Sequence, residues 1–227
     1  MPQPEPKPDE DPESGSAEDP SAPLFFLSYA RMRPLNRPVE SLPDPNRTVR
    51  MLFGRLSMHL NNLVYRETGT DPGFMDVTMA GGERWSPVLM EAVGTCQVFV
   101  ALLSPTYLQR PWCAREWNAF AARTVRPRPG NAHTTSIVPV LWTSTRSYRV
   151  PESIQAIQLF VPERLHRPRL TQRYLEDGLY GLLLGANQDE IELVIFRLAQ
   201  RIAELHFANH VEPGIVTDPE TLPNTIK

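Results

Sequence analysis

The chain has 227 residues, of which 41% are hydrophobic and 22% charged, with a formal net charge of −3. That balance is ordinary for a globular protein, leaves no general electrostatic footprint for nucleic acid, and includes no apolar run near the roughly 18 residues of a membrane-spanning helix. Two cysteines, Cys96 and Cys113, are too few for a disulfide framework or a structural zinc site, and the simple reading is a soluble cytoplasmic protein.

Residues 1–23 hold seven prolines, seven acids and one lysine, a net charge of −6, which leaves +3 for residues 24–227. A segment so poor in apolar side chains cannot offset its ordering entropy, so the expectation is a disordered acidic leader rather than a signal peptide. Order is predicted to begin at Leu24. Leu24 to Leu27 is a continuous apolar run closed by Ser28-Tyr29, the pattern of a strand buried on both faces. Four prolines make residues 31–46 a loop. Val49, Leu52, Phe53, Leu56, Leu60, Leu63 and Val64 then recur at helical spacing, with Asn46 or Thr48 as the predicted N-cap.

Phe74 to Val77 reads as a short strand, the glycine-bearing stretch Thr78 to Arg84 as a loop, and Trp85 to Ala92 as a helix with Pro87 in its first turn. Gln97 to Leu103 is the strongest strand signal, stopped by Ser104-Pro105. Pro111-Trp112 opens another helix. Ile137 to Trp142 is a fourth strand whose proline predicts a place near a sheet edge or strand end. Leu170 to Leu184 reads as a helix irregular at Gly178 and Gly181. Ile191 to Leu205 carries a clean helical stripe behind an Asn187/Glu190 capping box. Residues 209–227 are expected to be a flexible tail. Strands alternating with helices argue for βαβ units and a parallel sheet over a domain at 24–208. Such sheets bind ligands at the carboxyl ends of their strands, which directs attention to residues 28–31, 76–85 and 104–116.

The motifs of several chemistries are missing. The sequence has no phosphate-binding G-x-x-x-x-G-K-[ST], no dinucleotide G-x-G-x-x-G and no nucleophile elbow G-x-S-x-G. None of the five histidines stands at ligand spacing from a cysteine, so no metal is expected. Cys113 at a helix start is open between a thiol of lowered pKa and a small buried one, while Cys96 is read as core. Trp112-Cys113-Ala114-Arg115-Glu116 follows a strand end and opens a helix, which puts Trp112 and Glu116 on one helical face. A ring beside a carboxylate suits cleavage of a glycosidic bond through an oxocarbenium-like transition state; a core anchor beside a solvated acid is the plainer reading.

Several segments in chain order resemble the TIR (Toll/interleukin-1 receptor) domain family. Phe25-Phe26-Leu27-Ser28-Tyr29-Ala30 resembles its first box. Phe74 to Val77 with Gly82, Glu83 and Trp85 resembles its second strand and following loop. Val98 to Ser104 with Tyr107 and Trp112-Cys113-x-x-Glu116 resembles its third strand and S-x-x-Y…W-C-x-x-E signature. Ile137 to Val140 resembles its fourth strand. Arg110 stands where the family commonly has serine. The resemblance implies a flavodoxin-like three-layer α/β fold with a central parallel sheet flanked by helices, here with a helical C-terminal extension.

It also implies an NAD nucleosidase that cleaves the nicotinamide–ribose bond and depends on self-assembly, in a bacterial defence or signalling system. Glu116 would be the catalytic carboxylate. Trp112 would stack on the substrate, Tyr29, Ala30 and Arg31 would contact it, and Asp76 and Gly82 would form a wall. For Asp76 a purely structural role stays equally open. NAD would be substrate, with no cofactor, and the expected partner is a second copy through TIR–TIR contacts or another protein, with neither nucleic acid nor membrane. The leader and the long C-terminal region bring the resemblance nearest to bacterial TIR-like proteins encoded beside ribosomally made peptides. A non-catalytic TIR scaffold is the alternative. A receiver domain shares the topology, but its acidic cluster and late lysine are not visible at the strand ends.

Overall fold

The computed structural model describes residues 21–32, 44–66, 70–76, 86–162 and 167–227. Four strands, β1 (Phe25–Tyr29), β2 (Gly73–Met75), β3 (Val98–Leu103) and β5 (Ile137–Leu141), form one sheet in the order β2-β1-β3-β5. Every pairing in it is parallel, with Ser28 opposite Ala101 and Tyr29 opposite Leu102. The expected α/β architecture is therefore present. Chain order reverses between β1 and β3, the position where a crevice opens at the carboxyl ends of such strands.

Strand alternation sorts the core into two layers. Phe25, Leu27, Val98, Val100 and Leu102 face α1 (Arg47–Leu63), α6 (Pro168–Gly185) and α7 (Gln188–Ala208). Phe26, Phe99, Ala101 and Leu103 face α2 (Pro87–Thr95) and α4 (Pro111–Ala121), along with Tyr107 from the five-residue α3 (Pro105–Gln109) and Ile154 from α5 (Glu152–Gln155). Helix α1 turns Val49, Leu52, Leu56 and Leu60 inward, and α7 turns in Ile191, Val194, Ile195, Leu198 and Ile202. The C-terminal helices thus complete a layer of the sandwich.

Pro139 does lie on an edge strand, because β5 closes the four-stranded sheet. Its carbonyl accepts the Phe160 N–H at 2.8 Å, so the proline's missing donor interrupts no central ladder.

Some local expectations change. Asn46 precedes α1, but its side chain does not cap the helix. Its Oδ1 accepts from Met32 N and its Nδ2 donates to Met32 O, both at 2.9 Å, tying the chain after β1 to the start of α1. Within α6 only Gly178 leaves helical geometry, at φ 74°, and Gly181 is regular. At Gly178 a Cβ would meet the Trp142 carbonyl oxygen at 2.4 Å, and the Tyr180 N–H donates to that oxygen at 2.9 Å. The kink exists to let α6 approach the end of β5. Asn187 caps α7 through the Asp189 N–H, while Glu190 pairs with Arg167.

Within residues 209–227, read from sequence as a tail, Asn209, Val211 and Ile226 are buried. Strand β6 (Asn209–Val211) pairs antiparallel with β4 (Val125–Pro127), two short strands without a sequence signal. Arg123 is buried here and donates to the carbonyls of Val93, Cys96, Val211 and Glu212. Asn118 on α4 donates to the carbonyls of Pro223 and Thr225, and Ser153 N donates to Lys227 O.

Candidate functional site

The site is built at the carboxyl ends of β1 and β3. Phe26 and Ser28 share one face of β1 by the period of two, and that face meets α4. Ser28 is completely buried, a hydroxyl at the end of an otherwise apolar strand. After β3, Ser104 caps α3 by accepting the Tyr107 N–H at 3.0 Å, which points the Tyr107 ring into the same layer. Helix α4 starts at Pro111, favourable in a first turn because proline lacks a donor there. One turn further on, it directs Glu116 inward.

Glu116 is only 8% exposed. Its Oε2 accepts from Ser28 Oγ at 2.5 Å, and Ser28 Oγ lies 3.0 Å from the Tyr107 hydroxyl. Burial pushes its carboxyl up to about 8; the Ser28 hydrogen bond opposes that rise and the charge of Asp76 adds to it. The Tyr29 hydroxyl donates to the Asp76 carbonyl at 2.9 Å, bridging the ends of β1 and β2. Burial raises Tyr29 to about 12, with Arg31 pulling the other way.

The sequence reading places seven residues at the site. Glu116, Tyr29 and Asp76 are brought together by these contacts, and Arg31 lies close enough to act on Tyr29 electrostatically. Ala30 follows β1 and packs against the α4-side core. Trp112 is half-buried on the first turn of α4, with the Arg115 guanidinium 4.7 Å from its ring centroid. Arg115 is in turn held bidentately by Glu220 at 2.7 and 3.2 Å, so one ring face already has a cationic cover. Gly82, with the loop around it, lies outside the described residues.

Of the two readings for Cys113, the structure supports the buried thiol. Burial first, then the charge of Glu116, pushes it well above its ordinary value, and its Sγ donates to the Tyr29 carbonyl at 3.6 Å. Cys96 is buried and raised to about 12. Ser28 and Tyr107 were legible only as parts of motifs. A serine ending a two-sided apolar strand is the signal that marks the first, since burying a hydroxyl there is costly without a partner.

Among the described residues, no group of three or more His, Cys, Asp or Glu is placed to hold a metal ion, and no helix is long and apolar enough to cross a membrane. Cavities of about 350 Å³ beside Phe74 and Thr95 and about 300 Å³ beside Ala119 and Leu222 are not lined by Glu116. Chemically, the site offers one buried acid with hydroxyl donors behind it, at the crossover between β1 and β3.

Residues 59–170 match the family model of the TIR domain. The matched stretch runs from within α1 to the first turn of α6 and takes in Asp76, Gly82, Tyr107, Trp112, Cys113 and Glu116, while Ser28 to Arg31 precede it. The match gives no support to a setting beside ribosomally made peptides. No curated protein and no solved structure matches the chain.

Proposed function

We propose that the protein is an NAD nucleosidase that uses Glu116 to cleave the bond between nicotinamide and ribose. The observation that carries this reading is the Glu116 carboxyl, buried at the β1/β3 crossover and hydrogen-bonded to Ser28. The TIR domain match over residues 59–170 supports it, since that family includes NADases.

In the reaction the C–N glycosidic bond breaks and its electron pair leaves with nicotinamide. The ribose carbon becomes oxocarbenium-like, and water adds to it with loss of a proton, giving ADP-ribose; internal capture would give a cyclic isomer instead. A carboxylate beside that carbon stabilises the positive charge as it develops, and does so more strongly where water is excluded. Burial that raises Glu116 to about 8 leaves it mostly protonated at neutral pH in the free protein. The cationic nicotinamide ring favours the ionised form, so substrate binding and ionisation promote each other. Arg31 meets a phosphate of the substrate. Trp112 stacks through the ring face opposite Arg115. Self-association of the domain completes the site.

Purified protein, assayed for nicotinamide release over a concentration series with Glu116→Ala as control, tests this. The expected result is release that rises more than proportionally with protein concentration and disappears in the variant. Absence of release at every concentration from folded protein would favour the non-catalytic scaffold.

A further inference from the structure

We propose that Ser28 and Tyr107 are positioning residues for Glu116, forming a two-hydroxyl relay that orients its carboxyl and sets the pH at which it ionises. This rests on the nucleosidase reading only for its catalytic consequence; the relay itself is a property of the fold.

The geometry comes from three separate elements. Strand β1 supplies Ser28, α3 supplies Tyr107 and α4 supplies Glu116, and both hydroxyl-bearing residues are 0% exposed. Alanine at position 28 would keep the strand apolar on this face, where its neighbours are Phe26 and Ala101. A buried hydroxyl in that setting is justified by its hydrogen bonds alone.

Counting donors fixes the sense of the chain. A serine hydroxyl and a tyrosine hydroxyl carry one hydrogen each. The Ser28 hydrogen is committed to Glu116 Oε2 at 2.5 Å, so across the 3.0 Å contact Tyr107 is the donor and Ser28 Oγ the acceptor. The relay therefore runs Tyr107 to Ser28 to Glu116 and ends on an acceptor, which is what a carboxylate is. For a neutral Glu116 to donate back into the relay, the Ser28 hydrogen would have to turn away from the carboxyl and lose its acceptor there. The relay thus favours the ionised acid, and the second donor strengthens the first by polarising it.

Other groups act on the same carboxyl. Asp76 beyond β2 works against ionisation. Tyr29 on β1, Tyr107 on α3 and Cys113 on α4 are each raised by Glu116 or by burial and stay neutral. The cations Arg31, beyond β1, and Arg110, at the start of α4, act on Tyr29 and Cys113 respectively.

The test is a carboxyl titration of the full chain labelled with ¹³C-glutamate, followed by infrared or NMR from about pH 5 to about pH 10. Glu116→Gln identifies the Glu116 signal. Ser28→Ala is expected to move the Glu116 midpoint upward, and Tyr107→Phe to move it in the same direction by less. A merely structural role would lower the melting temperature and leave the midpoint in place. If Ser28→Ala fails to fold, Tyr107→Phe, which removes a single oxygen, decides alone. Unchanged or lowered midpoints in folded variants would overturn the proposal. Nicotinamide release by the same proteins separates the two claims. Shifted midpoints without turnover in the wild type would uphold the relay and refute the nucleosidase. Turnover in the wild type with unmoved midpoints would do the reverse.

Discussion

Replacing Glu116 by glutamine should stabilise the protein, and do so only where glutamate ionises. The wild-type carboxyl is raised from near 4.5 to about 8, chiefly by burial. A group whose folded-state pKa lies above its unfolded value contributes its full stability below the unfolded pKa and loses it as pH rises through the folded one. For Glu116 the loss begins near pH 4.5 and is complete just above pH 8. At about 1.4 kcal/mol per unit, the whole interval corresponds to roughly 5 kcal/mol. Water drawn to the ionised carboxyl reduces that, so the expected gain for Glu116→Gln at alkaline pH is about 3 kcal/mol.

Glutamine keeps the shape and still accepts from Ser28, so packing is conserved and the difference isolates the charge. Thermal unfolding of both proteins at closely spaced pH values is the assay. For a chain of this size about 3 kcal/mol corresponds to a rise in melting temperature of roughly 6–12 °C. The two curves should converge near pH 4.5 and diverge up to about pH 8. A difference that is the same at every pH, or a glutamine variant less stable at alkaline pH, would refute the reasoning. A stabilised but inactive variant would identify Glu116 as a residue kept at the expense of stability.

Nicotinamide release per molecule, at saturating assembly and NAD well below saturation, is expected to rise with pH through about 8 as Glu116 ionises; a flat profile would remove it from the rate-determining step. Gly178→Ala should cost about 3 kcal/mol or more in chemical denaturation, because a side chain at φ 74° meets the Trp142 carbonyl. Gly54→Ala, in the middle of α1 with open space around its Cα, should instead gain about 0.5–1 kcal/mol. Arg123→Met takes the donor from the Cys96 and Glu212 carbonyls and one of two donors from those of Val93 and Val211, and should lower the urea midpoint by the equivalent of about 3 kcal/mol.

What the sequence made legible was carried by periodicity. The apolar runs at Leu24 and Val98 are strands because both faces are covered, and the three-and-four spacing of Val49 to Leu60 and Ile191 to Ile202 is a stripe against the sheet. The Trp112 and Glu116 pair was visible for the same reason, since helical spacing placed both at a strand end. What escaped depended on contacts between distant segments. Strands β4 and β6 have three residues each, too few for a period, and they pair where Arg123 and Gln97 hold Val211. Asn46 has the chemistry of an N-cap but spends it on Met32, a choice made by tertiary proximity. Gly178 and Gly181 look alike in sequence, and the nearness of Trp142 alone singles out the first. Ser28 needed its partners, Tyr107 and Glu116, 79 and 88 residues away.

The packing of the C-terminal segment onto α4 sets an order of events during synthesis. All four strands of the parallel sheet have been made once Leu141 is in place. The groups that grip the outer side of α4, Glu220 on Arg115 and the carbonyls of Pro223 and Thr225 on Asn118, come about 80 residues later. A nascent chain therefore carries the sheet, Ser28, Tyr107 and Glu116 well before the helix that presents the acid is fastened from outside. The acid-bearing helix is among the last parts of the fold to be secured, so an incomplete chain would hold every residue of the candidate site without the brace that fixes it.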